Sequence, residues 1–102
     1  MKKIVDGKRY DTETAEEIAY HSNDLPTNDF NWYEERLFRT QKGNWFIAGE
    51  GGAASRYSKS CGNNGSCGGS DLTPIPMIEA REWLERNDEI EALEKYFTIV
   101  DA

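Results

Sequence analysis

The order of patterns along this chain predicts an α+β fold. It consists of a small antiparallel sheet, built from a hairpin and a meander and packed by one N-terminal and two C-terminal helices. Three observations predict it. Two stretches rich in β-formers flank short turns, at Asp6-Gly7 and at Gln41-Lys42-Gly43. The last quarter carries apolar residues at helical spacing. Between these blocks lies a polar, glycine-rich stretch, residues 60–70. The 102 residues suit a single domain, 1–102, with this Gly/Cys-rich loop inside it.

Residues 3–10 form the first hairpin. Ile4-Val5 and Arg9-Tyr10 flank Asp6-Gly7, a dipeptide that tolerates the positive φ of a tight turn. A helix is expected next. Thr14-Ala15-Glu16-Glu17 fits a capping box, Asp11 or Thr12 offers a cap one turn earlier, and Ala15, Ile18 and Ala19 share one helical face. It ends by Asn23-Asp24-Leu25-Pro26, and a polar connector follows. The second hairpin pairs 34–40 with 44–48, and Gly43 takes the left-handed position of its three-residue loop. Trp45 and Phe46 then point to opposite faces of one strand, so they do not share a core; the aromatic on the outer face either packs on a helix, the reading favoured, or marks a contact site. Glu50-Gly51-Gly52 breaks the strand, and 53–58 admits either a third strand or a short turn.

After the glycine loop, Leu72-Thr73-Pro74-Ile75-Pro76 leads into a helix whose apolar face is Ala80, Trp83 and Leu84; proline is tolerated near a first turn. Asn87 or Asp88 stops and restarts the chain. Ile90, Leu93 and Phe97 form the stripe of a last helix, with Tyr96 beside it, and Ile99-Val100 frays or adds an edge strand.

The net charge is −7, and residues 79–102 alone carry −5. Such a surface repels nucleic acid and attracts basic partners. Twelve aromatic residues argue against disorder. No apolar run approaches the ~20 residues of a membrane span. Met1-Lys2-Lys3-Ile4-Val5-Asp6 has no apolar signal-peptide region. A cytoplasmic location is therefore the expectation, with no membrane partner and no direct nucleic-acid partner.

Cys61 and Cys67 are the only cysteines and His21 the only histidine. Three states are open to the cysteine pair. One is a structural zinc clasp with His21 as a further ligand and Asp71 or Asp24 supplying oxygen. The others are two reduced thiols and a disulfide. Five intervening residues are more than the two to four of a usual zinc knuckle, although a glycine loop can fold to allow them. The loop is no phosphate cradle, because Gly68-Gly69-Ser70-Asp71 ends in an acid where a P-loop carries lysine. No nucleophile context or acid–base relay accompanies His21 or the cysteines, so no enzyme activity is expected. Glu79, Glu82, Glu85 and Glu89 share a stripe if the helix runs through 87. With Glu91 and Glu94 they form the expected partner-binding surface.

The runs Ile4-Val5-Asp6-Gly7-Lys8-Arg9-Tyr10-Asp11-Thr12-Glu13-Thr14-Ala15, Leu37-Phe38-Arg39-Thr40-Gln41-Lys42-Gly43-Asn44-Trp45-Phe46, Gly49-Glu50-Gly51-Gly52 and Glu79-Ala80-Arg81-Glu82-Trp83-Leu84 carry a resemblance. The chain resembles a family of small acidic proteins encoded by phages and mobile elements of Gram-positive bacteria. Some proteins of this kind are anti-CRISPR proteins directed at the RNA-guided nuclease of type II systems. The resemblance implies a phage-borne inhibitor that binds such a nuclease and blocks nucleic-acid loading or cleavage, and it supplies no catalytic residues. The alternatives are a mobile-element interaction module with another protein partner, or a small zinc or thiol protein.

Overall fold

Asp6 and Gly7 adopt φ of 52° and 75° and close the two-residue turn between β1 (Lys2–Val5) and β2 (Lys8–Asp11). Both central residues at positive φ are the condition for the turn whose twist matches a hairpin. The computed structural model describes all 102 residues.

The expected first helix is instead strand β3 (Glu16–Ser22). It pairs antiparallel with β4 (Tyr33–Arg39), with Ala19 opposite Leu37 and His21 opposite Glu35. A bulge between Glu17 and Ala19 lets the consecutive residues Ile18 and Ala19 pack into one core. That breaks the alternation by which a strand is recognised, and with Ala15 it imitates the i, i+3, i+4 spacing of a helical face. A helix this short is marginal by itself, whereas pairing with β4 satisfies its backbone along its length.

β4 and β5 (Trp45–Gly51) form the expected second hairpin, with Gly43 at φ 87°. The Thr40 hydroxyl accepts the Asn44 amide at 3.0 Å and locks the turn. Residues 53–58 make turns, not a strand. The short strands β6 (Lys59–Ser60) and β7 (Ser66–Cys67) pair as a separate ribbon. β8 (Gly69–Ile75) then returns antiparallel to β5, so the main sheet has the order β3-β4-β5-β8. Glycine and proline hide β8 in the sequence, but Pro74 is acceptable on an edge strand. Other features blunt that edge too: the Leu72 amide donates to Asp71 Oδ1 at 2.9 Å and the Leu72 carbonyl accepts Lys3 Nζ at 3.2 Å.

Helix α1 (Met77–Arg86) begins after Pro76 and ends at Asn87, whose side-chain amide donates to the Trp83 carbonyl at 2.9 Å. Asp88, at φ 54°, turns the chain into α2 (Ile90–Tyr96). The helices cover one face of the sheet, where Ala19, Leu37, Trp45, Ala80, Trp83 and Leu84 form a buried cluster. Tyr96 and Phe97 bracket Trp45, each with ring centroids 5.6 Å away. Ile90, expected on this stripe, is 62% exposed, because the later residues of α2 make the core contacts. The other face is covered in part by the β1–β2 hairpin, and Tyr10, Phe38, Phe46 and Leu72 form the second cluster. Phe38 and Phe46 stack there at 5.0 Å. Trp45 and Phe46 thus serve opposite cores, as their adjacency in a strand requires. Ile99 and Val100 are exposed and join no element. No helix is long and apolar enough to cross a membrane.

Candidate functional site

The acidic surface is built differently from the stripe expected. α1 stops at Arg86, so Glu89 does not continue the row of Glu79, Glu82 and Glu85. Within α1, three-residue steps fall short of a full turn by about 60° each. The three glutamates therefore sweep around the exposed side instead of lying in line. Glu79 and Glu82 border a cleft above the sheet. Glu89 precedes α2, is half-buried, and lines a 240 Å³ groove with Glu91 and with Glu16 and Glu17 of β3. Glu85 and Glu94 are exposed. Glu16 and Glu17 join the acidic surface only because their segment is a strand packed near α2. Glu16 accepts the Tyr96 hydroxyl at 2.7 Å, and Glu17 pairs with Arg36 at 3.3 Å. None of the six glutamates expected to bind a partner takes part in the chain's ion pairs, which join Lys3 to Asp71, Arg36 to Glu17 and Glu34, and Arg56 to Glu35.

The cysteines and His21 are not brought together. Cys61 and Cys67 are joined in a disulfide, with Cα atoms 5.8 Å apart, at the β6–β7 ribbon. His21 stands on the opposite edge strand of the sheet, its ring against Trp83 and Tyr33. Three strand spacings, roughly 14 Å, separate β3 from β8, whereas zinc ligands approach the ion within about 2.3 Å. Asp71 is engaged by Lys3 at 3.3 Å. No cluster of three or more His, Cys, Asp or Glu side chains is placed to hold a metal ion. Joined to each other, the sulfurs offer no thiolate, so the reduced chain is the form in which zinc binding is testable.

The site that the sequence did not reveal is the floor of the cleft beside α1, an opening of about 440 Å³. Glu35 lies there, 4% exposed. One oxygen, Oε1, accepts the Trp83 indole N–H at 3.0 Å. The other, Oε2, accepts the Tyr57 hydroxyl and lies 3.4 Å from Arg56 Nη1. An isolated buried carboxylate is costly, and here every partner is a donor, which is the condition for keeping it buried. Burial, and then the bond to Glu35, push the Tyr57 phenol well above its ordinary pKa. The arrangement pins three segments at one point: the sheet through Glu35, α1 through Trp83, and the crossover through Arg56 and Tyr57. Alternation on β4 places Glu35 beside Leu37 on the core face, but sequence alone does not tell a buried glutamate from a solvated one. No histidine lines the cleft.

On the opposite face, Glu34 and Glu50 sit directly across from each other on β4 and β5. Tyr20 donates its hydroxyl to Glu34 Oε2 at 2.7 Å, and Arg36 Nη1 donates to Oε1 at 3.1 Å. The Tyr20 bond holds the Glu34 carboxyl below its ordinary pKa, and the bond to Glu34 lifts that of Glu50. The same bond raises the Tyr20 phenol.

A scan of protein-family models and searches of curated proteins and solved structures find no match to this chain.

Proposed function

We propose that the chain is a non-catalytic binding protein that engages a basic surface through its C-terminal acidic helices, and that its partner is the RNA-guided nuclease of a type II CRISPR system, which it inhibits. One observation supports the acidic surface above the rest. Glu79, Glu82, Glu85, Glu91 and Glu94 are exposed, and no cation of the chain forms an ion pair with them. Surface carboxylates without close ion-pair partners retain a field that can steer an oppositely charged surface. The choice of partner rests on the resemblance of the Tyr10–Ala15 and Lys42–Phe46 segments to small acidic proteins of phages and mobile elements.

The test is a DNA-cleavage assay with a purified type II nuclease and guide RNA, with and without the protein. A variant carrying Glu79→Lys, Glu82→Lys, Glu91→Lys and Glu94→Lys is assayed in parallel. Inhibition by the parent is expected, with loss of inhibition in the variant and an association rate about ten- to a thousandfold lower. Undiminished cleavage at saturating protein removes the nuclease as partner. Inhibition that survives the four reversals removes the acidic helices as the contact surface.

A further inference from the structure

We propose that the Cys61–Cys67 disulfide is a redox latch: its reduction releases the tip of the β5–β8 crossover and loosens the seat of Tyr57 on Glu35, while the main sheet and helices stay packed. The proposal is independent of which partner the acidic helices bind.

The crossover runs from Gly51 to Gly69, and only Tyr57 anchors it in the protein interior. Beyond Tyr57 the tip is held by two strands of two residues each, by the Cys61 amide donating to the Gly65 carbonyl at 3.1 Å, and by the disulfide. Residues 58–64 are all exposed. Neither buried cluster contains a residue between 58 and 68, so the tip can open without exposing either core. The tip is nevertheless coupled to the cleft. Gly69 packs closely against the Tyr57 carbonyl and the Lys59 side chain, and a Cβ at Gly49 would fall on the Tyr57 ring. Lys59, Tyr57 and Arg56 together line the cleft. Freeing 59–67 therefore removes the support on one side of Tyr57, and the crossover is left held by the Glu35 contact and by the Gly52 and Ala54 amides on the Trp32 and Phe30 carbonyls.

Cys61 is exposed, which gives a reductant access to its sulfur. A thiolate of a small dithiol attacks Cys61 Sγ, the Sγ–Sγ bond breaks, and Cys67 leaves as a thiolate and takes up a proton. The second thiol of the reductant then displaces Cys61, which is protonated in turn. Two electrons and two protons have passed to the chain, and the dithiol has become its own disulfide. The oxidised dithiol reverses each step.

The experiment is hydrogen exchange on three samples: the oxidised chain, the chain in dithiothreitol, and a Cys61→Ser/Cys67→Ser double variant without reductant. Thiol titration runs alongside. In the reduced chain and in the variant, amides across 55–69 are expected to exchange about tenfold faster or more, with β4, β5 and α1 unchanged. Replacing dithiothreitol with its oxidised form is expected to restore protection in the native chain but not in the variant. Unchanged exchange across 55–69 overturns the latch, as does failure of dithiothreitol to release two thiols from the folded chain. Loss of protection throughout the sheet overturns it too, because the bond is then a staple for the whole fold.

Discussion

The Trp83 indole N–H donates to Glu35 Oε1 at 3.0 Å, joining helix α1 to the second strand of the sheet across 48 positions of sequence. Tyr57 occupies the other oxygen of the same carboxylate. Removing Glu35 strands two buried donors and leaves Arg56 unpaired, whereas removing one donor leaves the others in place. Glu35→Ala is therefore expected to cost about 2–6 kcal/mol in urea unfolding, at about 1–3 kcal/mol for each stranded donor, and Tyr57→Phe about 1–3 kcal/mol. A cost below 1 kcal/mol for Glu35→Ala, on the same ~1 kcal/mol scale as a single hydrogen bond, would show that the carboxylate pins nothing.

The pKa of Tyr57 is raised in the folded chain, so the unfolded chain loses this proton first. Its contribution to stability is complete below the ordinary tyrosine pKa of about 10 and is lost as pH rises above it. Alkaline unfolding curves of the parent should fall more steeply above about pH 10 than those of Tyr57→Phe. Parallel curves would contradict the assignment.

A side chain at Gly49 would fall on the Tyr57 ring, and that ring is held from its far end by Glu35. Gly49→Ala is expected to cost about 1–3 kcal/mol by overpacking. Hydrogen exchange should place the loosening in the crossover before the rest of the sheet. Full stability would mean that Tyr57 moves aside freely.

Glu34 and Glu50 oppose each other across β4 and β5, and their pKa values are displaced in opposite directions. The lowered Glu34 contributes stability that is present at neutral pH and lost as pH falls. The raised Glu50 contributes stability only while protonated, and loses it as pH rises through the carboxylate range. Glu50→Gln removes the second effect and keeps the first. The variant should exceed the parent by about 0.2–1 kcal/mol at pH 7, and the difference should vanish below about pH 4. A less stable variant at pH 7 would sink this reading.

Asp88 holds φ 54° between the two C-terminal helices. Left-handed backbone costs a side-chain-bearing residue roughly 1 kcal/mol, less for aspartate. Asp88→Gly is expected to be neutral or to stabilise by up to about 1 kcal/mol in thermal unfolding, despite the greater freedom of glycine in the unfolded chain. A clear loss of stability would assign the Asp88 side chain a contact beyond the turn.

Much of the fold was legible from local chemistry. Asp6-Gly7 and Gln41-Lys42-Gly43 marked both tight turns, because positive φ restricts which residues stand there. Ala80, Trp83 and Leu84 marked the buried face of α1, and Asn87-Asp88 marked the break before α2. β3 was not legible, because a bulge places two consecutive side chains in one core. β8 was not legible either, because an edge strand tolerates the glycine and proline that argue against a strand.

The candidate site divides in the same way. The sequence by itself determined where the negative charge lies, since residues 79–102 are acidic in any conformation, and it singled out Cys61 and Cys67 as the one reactive pair. Only the tertiary structure decided that Glu79 and Glu82 border the cleft, that Glu89 and Glu91 line the β3 groove with Glu16 and Glu17, and that the cysteines meet each other and not His21. It alone placed Glu35 beneath Tyr57 and Trp83. The physical reason is range. Turns, caps and net charge are set by neighbours a few residues away, whereas the surroundings of Glu35 come from β4, the crossover and α1, which meet only when the chain has folded.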